Sequence, residues 1–190
     1  MLDLELPPQE LAPLLVGALI SDGGVTIELT EVEAYAGSGD PAAHAWRGLR
    51  PHTSDLFAAP GTLYCYRSHG LHICGNVVCE ARGSGSAVLF RAGRVVDGIE
   101  VARERRGGVA DVALARGPGN LGRAMGWTLA DSGRAFAGAL RSGRAMSVLA
   151  GPRVGVSVGV TRPWRFWAEG DPTVSVYRRS PRAGRAGDDW

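Results

Sequence analysis

Lysine is absent from this 190-residue chain, in which all 21 basic residues are arginine. A guanidinium stays protonated and can bind phosphate through two hydrogen bonds, but it cannot act as a Schiff-base amine. The sequence therefore excludes covalent catalysis through a lysine imine. The formal net charge of +2 is too small to indicate a nucleic-acid partner by itself.

Long apolar segments and paired cysteines are also lacking. The apolar run at residues 11–20 is short and interrupted by proline and glycine, and no basic segment precedes it as in a signal peptide. Three cysteines (Cys65, Cys74 and Cys79) cannot all pair within one chain, which favours a reducing compartment. We expect a cytoplasmic protein without a membrane partner.

The order of the local patterns predicts an α+β fold in a single domain, with a curved, mostly antiparallel sheet and short helices around it. Residues 1–177 form the domain in this interpretation, and the basic, Gly/Pro-rich residues 178–190 form a flexible tail. Helices are predicted at 9–20, 41–46, 97–106 (capped by Asp97) and from 117–120 to 125, one helical turn at 55–59, and strands at 25–36, 62–66, 71–79 and 86–92, with further short strands in the last third.

The strand predicted at 25–36 has a face that begins apolar and becomes acidic. Strand alternation places Ile27, Leu29, Glu31, Glu33 and Tyr35 on that face. Buried carboxylates are costly unless they are hydrogen-bonded or border a wet cavity, so the pattern indicates a polar pocket at the end of the strand. Two plainer interpretations stay open: the face turns to solvent, or the carboxylates simply pair with arginines.

The predicted hairpin brings aromatic and amide side chains together. Tyr64 and Tyr66 share one face of its first strand, and His72, Cys74 and Asn76 share one face of its second. Such a set suits a slot for a flat heterocycle, because aromatic rings stack on a base while an asparagine reads its edge. A core of tyrosines with satisfied hydroxyl groups fits the pattern equally well.

Two other candidate sites carry weaker signals. Cysteines and histidines at 65–79 could suggest zinc, but no pair has C-x-x-C spacing and Cys65 alternates away from His72 and Cys74, so we predict no metal. The turn at residues 117–121 exposes backbone N–H groups at a helix start, which suits a phosphate. Gly119, Asn120 and the nearby Arg123 are the predicted phosphate ligands.

Several blocks together closely resemble the alkyladenine (3-methyladenine) DNA glycosylase family, and they occur in the family's order. The similarity covers nearly the whole chain. The blocks are residues 31–35 (Glu-Val-Glu-Ala-Tyr), 43–44 (Ala-His), 60–66 (Pro-Gly-Thr-Leu-Tyr-Cys-Tyr), 71–78, 89–92 (Leu-Phe-Arg-Ala), 117–121 (Gly-Pro-Gly-Asn-Leu), 153–156 and 163–166.

The resemblance implies a monofunctional enzyme that flips alkylated or deaminated purines (3-methyladenine, 7-methylguanine and, with more need of acid catalysis, hypoxanthine) out of duplex DNA and hydrolyses the N-glycosidic bond in base excision repair. It implies a monomer that acts on double-stranded DNA without a cofactor. By position, Glu33 matches the carboxylate that activates water and Arg91 the residue that helps to hold that water. Tyr35, His44 and Tyr66 match the walls of the base pocket, and Asn76 matches the residue that discriminates between purine substituents. Glu31 matches no assigned role.

Two departures from the family pattern bear on DNA binding. His69 stands where members commonly carry a tyrosine, at the hairpin tip that wedges into the gap left by the extruded nucleotide. His52-Thr53-Ser54-Asp55 replaces a stretch that is usually basic and rich in asparagine. These departures keep open a non-hydrolytic lesion- or nucleic-acid-binding protein, and arginines with aromatics also leave an RNA-binding or RNA-modifying protein open.

Overall fold

The computed structural model describes residues 2–184, in which three α-helices surround a nine-stranded sheet. This architecture confirms the predicted α+β class. The helices are α1 (Pro8–Leu15), α2 (Ile99–Arg106) and α3 (Pro118–Met125). The strands are β1 (Leu19–Asp22), β2 (Val25–Ala36), β3 (Leu63–Ser68), β4 (His72–Cys79), β5 (Ser86–Asp97), β6 (Ala115–Arg116), β7 (Leu140–Arg141), β8 (Val148–Gly151) and β9 (Arg165–Ala168).

The sheet is antiparallel and centred on its two longest strands. Its main path runs β3-β4-β5-β2-β1-β7; β6 also pairs with β5, and β9 pairs with β2 and β8. β2 and β5 have twelve residues each, and their register shifts between Leu29 and Val32. Irregularities of this kind bend a strand and change the direction of its side chains. This one lies at Glu31, next to Glu33.

Strand β2 is buried almost throughout and contributes Val25, Ile27, Leu29, Val32 and Ala34 to the hydrophobic core. Leu11 and Leu15 of α1 and Phe90 of β5 belong to the same cluster of fully buried side chains. On β4, α3 approaches so closely that a Cβ on Gly122 would lie 2.0 Å from the carbonyl oxygen of Ile73. Glycine at this position in the middle of α3 therefore allows the helix to pack directly against β4.

The first predicted helix is wrong in its second half. The helix ends at Leu15, and residues 19–22 form β1. Gly17 adopts φ +90° and donates its N–H to the carbonyl oxygen of Leu29, which ends the helical path and joins the chain to the sheet. The apolar run at 11–20 thus serves two elements.

Three other boundaries differ from the predictions. Residues 41–46 do not form an α-helix; the chain makes a 3-10 turn at His44–Arg47. Another 3-10 helix covers Pro51–Phe57, earlier and longer than the single turn predicted at 55–59. Asp97 is not a helix cap, because β5 extends to it and Gly98, in a left-handed conformation, precedes α2. A local turn at His44–Arg47 and strand pairing at Asp97 thus replace the two helix starts that the sequence suggested.

The three cysteines are buried free thiols. Burial raises the pKa of Cys65 and that of Cys79 to about 12, so both stay protonated. Among residues 2–184, no group of three or more His, Cys, Asp or Glu side chains is placed to hold a metal ion. The same residues contain no helix that is both long and apolar enough to cross a membrane.

Candidate active site

Strand β2 carries two fully buried carboxylates into the site. Glu33 accepts hydrogen bonds from the backbone N–H of Val154 (2.7 Å), the hydroxyl of Tyr35 (2.8 Å) and Nη1 of Arg91 (3.3 Å). Glu31 is likewise unexposed and bonded to arginines. The solvent-facing interpretation is therefore wrong, whereas arginine pairing and a polar pocket are both present. The three partners of Glu33 all line one cleft.

Arg91 reaches the carboxylates from the irregular part of β5. Glu31 lies opposite Ala92 and Val32 opposite Phe90, so Arg91 has no directly opposed residue in β2. Its Nε donates to Glu31 (2.9 Å) while Nη1 donates to Glu33. Burial alone would lower the pKa of Arg91, but Glu33 and Glu31 raise it above its usual value, and the guanidinium stays charged.

A small aromatic pocket opens beside these charges. Tyr35, His44, Tyr66 and Asn76, the four residues predicted to form the base pocket, all line it. The His44 ring meets Tyr66 edge-on at 4.5 Å between ring centroids, and Tyr64 stacks on Tyr66 at 5.9 Å. Small residues complete the walls of the pocket: Ala42, Ala43, Gly85 and Ala87.

The titratable walls of this cavity are uncharged at neutral pH. Burial, together with the neighbouring Glu33, raises the pKa of Tyr35 well above its usual value, and burial has the same effect on Tyr66. Burial and the nearby His52 lower the pKa of His44, which keeps its imidazole neutral. A cationic ligand in this pocket would thus meet uncharged aromatic side chains.

Asn76 is held by the strand opposite to it. Its Nδ2 donates to the carbonyl oxygen of Tyr64 at 3.1 Å, and the two residues are directly paired in the β3–β4 ladder. Tyr64 in turn is 3.2 Å from Nδ1 of His44 through its hydroxyl oxygen. The amide is therefore held in a fixed orientation in the wall of the pocket.

The β3–β4 hairpin closes through His69, Gly70 and Leu71, which lie between the paired Ser68 and His72. His69 (φ +49°) and Gly70 (φ +71°) are both left-handed, and the N–H of Leu71 donates to the carbonyl oxygen of Ser68 at 3.1 Å. Positive φ at both central positions matches the right-handed twist of the strands. His69 is exposed at this tip, and the neighbouring Leu71 is 81% exposed.

Known proteins resemble this chain along nearly its full length. The sequence profile of the methylpurine-DNA glycosylase family matches residues 3–172. The chain belongs to the methylpurine-DNA glycosylase family. It is accordingly a DNA glycosylase, a hydrolase of the N-glycosidic bond, and its substrate is DNA.

Relatives of this glycosylase carry a consistent name. A protein from Mycolicibacterium paratuberculosis is 48% identical over 97% of this chain and 95% of its own length. One from Cutibacterium acnes is 47% identical (92% and 98%), and one from Mycobacterium tuberculosis is 46% identical (97% and 97%). Each is named as a 3-methyladenine DNA glycosylase.

The glycosylase brings together only part of the predicted phosphate site. Gly119 and Asn120 line the same cleft as His69, His72 and Arg91, although the Asn120 side chain donates back to the carbonyl oxygen of Arg116. Arg123 lies exposed in the last turn of α3 and is absent from the lining of that cleft. Phosphate binding at the start of α3 remains a prediction.

The unusual segment at residues 52–55 is held by local bonds in this glycosylase. Thr53 is fully buried and accepts a hydrogen bond from the N–H of Arg50, and Asp55 accepts one from the hydroxyl of Ser132 at 2.6 Å. These side chains stabilise the 3-10 helix and its contact with the loop at 129–132.

Sequence reasoning missed two residues that bond the buried carboxylates and one exposed residue beside the hairpin turn. The Val154 N–H is invisible because backbone donors carry no residue signature, and Ser175 is distant in sequence from the carboxylates it contacts. Leu71 could have been found: it is an apolar residue beside a hairpin turn, where solubility disfavours one.

Proposed function

We propose that this glycosylase removes 3-methyladenine and 7-methylguanine, and more slowly hypoxanthine, from duplex DNA by flipping the nucleotide into the cavity lined by Tyr35, His44, Tyr66 and Asn76. The observation that carries the proposal is the position of Glu33. It is a buried carboxylate with three defined donors, bonded to a tyrosine of the cavity wall. Such a carboxylate suits a general base that activates water next to a purine held in that cavity.

In the proposed reaction Glu33 takes a proton from a water molecule whose oxygen bonds to C1′ of the deoxyribose. The N-glycosidic bond breaks, and its electron pair leaves with the purine. The sugar gains oxocarbenium character, which the carboxylate stabilises. Arg91 lines the cleft next to Glu33 and helps to hold the water through its guanidinium.

Cationic purines fit the charge of the pocket best. A 3- or 7-methylated purine leaves as a neutral molecule and needs no proton from the enzyme, whereas hypoxanthine needs one. Tyr35 and Tyr66 are poor acids because their pKa values are raised, and the neutral His44 does not repel a cation. This explains why hypoxanthine is proposed as the slower substrate.

His69 is the proposed wedge, and Gly119, Asn120 and Arg123 are the proposed phosphate contacts. The support for the wedge role of His69 and for the phosphate contacts of Gly119 and Asn120 is that all three residues line the same cleft. For Arg123 the support is its exposed cationic side chain on the same helix. Because the chain has no lysine, the abasic product is left uncleaved by any lysine imine.

The proposal also covers the state of the protein. It acts as a cytoplasmic monomer with one domain over residues 1–177 and a flexible tail at 178–190, of which 185–190 lie outside the described residues. Three buried free thiols are consistent with a reducing compartment, and the family match is continuous over residues 3–172. Light scattering of the purified protein tests the monomer, and limited proteolysis tests the tail.

The deciding experiment measures free base released from duplexes that contain 7-methylguanine, 3-methyladenine or hypoxanthine. Wild type, Glu33→Gln and a control, Glu104→Gln on the exposed face of α2, are compared. We expect release by wild type and the control, and binding without release by Glu33→Gln. Tight binding without release by wild type would instead indicate a lesion-binding protein, and equal release by all three would exclude Glu33 as the base.

A further inference from the structure

Glu31 accepts more hydrogen bonds than a paired structural carboxylate needs. It is fully buried, and its Oε1 accepts from Nε of Arg91 (2.9 Å), Nε of Arg165 (2.6 Å) and the hydroxyl of Ser175 (2.9 Å). Its Oε2 accepts from the backbone N–H of Ser175 (2.8 Å). Burial raises the pKa of Glu31, but Arg91, Arg165 and the hydrogen bonds together lower it below its usual value.

These bonds determine how Arg91 meets Glu33. An arginine can pair with a carboxylate through two parallel hydrogen bonds, which neutralise it most effectively. Here Arg91 directs Nε to Glu31 and Nη2 to the hydroxyl of Ser175 (3.4 Å), so that only Nη1 contacts Glu33, at 3.3 Å. Arg91 is thus turned away from a two-bonded pair with Glu33.

The charges of this cluster balance only when Glu31 is counted. Arg91 and Arg165 supply two positive charges, and Glu31 and Glu33 supply two negative ones. Without Glu31, both guanidiniums would be left with Glu33 as their carboxylate in the cluster. Glu33 would then be a weaker base, since a neighbouring cation favours the ionised form of a carboxyl group.

We propose that Glu31 and Ser175 are positioning residues that hold Arg91 so that Glu33 keeps its basicity and its access to water. The inference rests on the proposed function, in which Glu33 is the general base. Neither residue touches the DNA in this scheme. Both act through Arg91.

Ser175 lies beyond residue 172, where the family match ends, yet its segment is firmly attached to the sheet. The hydroxyl groups of Thr173 and Thr30 are 2.7 Å apart and buried, and Nη2 of Arg165 donates to the carbonyl oxygen of Ser175 at 2.9 Å. Backbone and side chain of Ser175 are therefore both fixed beside Glu31. The segment at 173–175 belongs to the active site of this chain.

The test uses the full-length protein and a duplex with 7-methylguanine, whose fixed charge keeps the substrate from titrating in the acid range. Single-turnover release rates are measured against pH for wild type, Glu31→Gln, Ser175→Ala and Ser175→Thr. DNA affinity is measured separately. Val176→Ala changes a side chain that is 71% exposed and serves as the matched control.

Four ionisable side chains interact with Glu33 through hydrogen bonds or charge: Tyr35 on its own strand, Arg91 on β5, Tyr66 on β3 and Arg153 in the loop before β9. Tyrosines with raised pKa values and arginines do not titrate between pH 4 and pH 8. His44 lines the same pocket and can titrate in this range, but it is present in every variant, so a difference in the acid limb between a variant and wild type reports the substitution and not His44.

We expect Glu31→Gln to reduce the rate by about ten-fold or more, as loss of a charge-assisted contact does. Its acid limb should move to lower pH, because Glu33 is then ionised more easily. Ser175→Ala should slow release by about three- to ten-fold and Ser175→Thr should recover it, with DNA affinity constant throughout.

Several outcomes overturn the inference. Wild-type rates and pH profiles for both Glu31→Gln and Ser175→Ala would do so. So would a loss of rate that follows a loss of thermal stability, without a shift of the acid limb and without recovery in Ser175→Thr, since that indicates a merely structural role. Absence of release by wild type itself would overturn the proposed function, and the inference with it.

Discussion

Arg153 and Asp40 form an ion pair in which neither side chain has any exposed surface. Nη2 of Arg153 donates to Oδ1 of Asp40 at 2.8 Å, Nη1 bonds to Oδ2, and the guanidinium lies 4.6 Å from the ring centroid of Tyr35. Asp40 precedes the turn with His44, and Arg153 precedes Val154, which bonds Glu33. One ion pair thus joins the proposed base pocket to the loop whose Val154 N–H bonds Glu33, the proposed catalytic carboxylate.

Replacing Asp40 with asparagine should destabilise the protein, because it leaves the buried Arg153 without its counter-charge. We expect a loss of about 3 kcal/mol in the free energy of unfolding. Urea denaturation measures it. Asp111→Asn is the matched control, since the Asp111–Arg103 pair is exposed and its loss should leave stability unchanged. Similar stability of the two variants would contradict the central role of the buried pair.

Stability should depend on His44 at mildly acid pH. Burial lowers the pKa of His44 in the folded state, so below about pH 6.5 the unfolded chain binds a proton that the folded chain does not. Stability from this group is present above that pH and is lost as the pH falls. His44→Gln should therefore lose less unfolding free energy than wild type between pH 7 and pH 5. An equal loss in both proteins would show that His44 titrates normally.

His69 should matter for DNA and not for folding. His69→Gly removes the proposed wedge while relieving a left-handed backbone that glycine adopts freely. We expect unchanged or slightly higher thermal stability and slower release of hypoxanthine, by about ten-fold or more, because unstacking is no longer offset. His69→Tyr should release hypoxanthine faster than wild type. Base release measures the rate, and the fluorescence of 2-aminopurine beside the lesion measures unstacking. A wild-type rate of release in His69→Gly would exclude the wedge.

Leu71 should contribute to binding of the duplex. Its side chain is 81% exposed, so Leu71→Ala should leave the melting temperature unchanged. If the side chain becomes buried on DNA, the variant should bind about ten-fold more weakly, as expected for one leucine transferred out of water. Leu149→Ala, at another exposed leucine, is the control. Equal affinities of both variants and wild type would place Leu71 outside the DNA interface.

The sequence predicted the contents of the pocket better than its electrostatics. Strand alternation was sufficient to group Tyr64 and Tyr66 opposite Asn76, because a hairpin brings neighbouring segments together at fixed register. It could not pair Glu31 with Arg91 or Arg165, which are 60 and 134 residues away. Arg91 was found by resemblance alone, since an irregular register has no periodic signal.

The first helix shows a second limit of sequence patterns. Apolar residues at 11–20 suit a helix and a buried strand equally well. The end of α1 depends on Gly17, whose N–H bonds to Leu29 in a distant part of β2. Only the folded sheet supplies that acceptor, so a local pattern could not place the boundary.

Under the proposed wedge role of His69, the closed turn at His69 and Gly70 brings an already formed tip to the DNA. A preorganised tip avoids the entropy cost of ordering a loop on binding. The main remaining cost of opening the lesion site is then the unpairing and unstacking of the DNA itself. The speed of excision should then follow the strength of the surrounding base pairs. Lesions in mismatches or in A·T-rich tracts should be repaired first, and those in rigid G·C-rich tracts last.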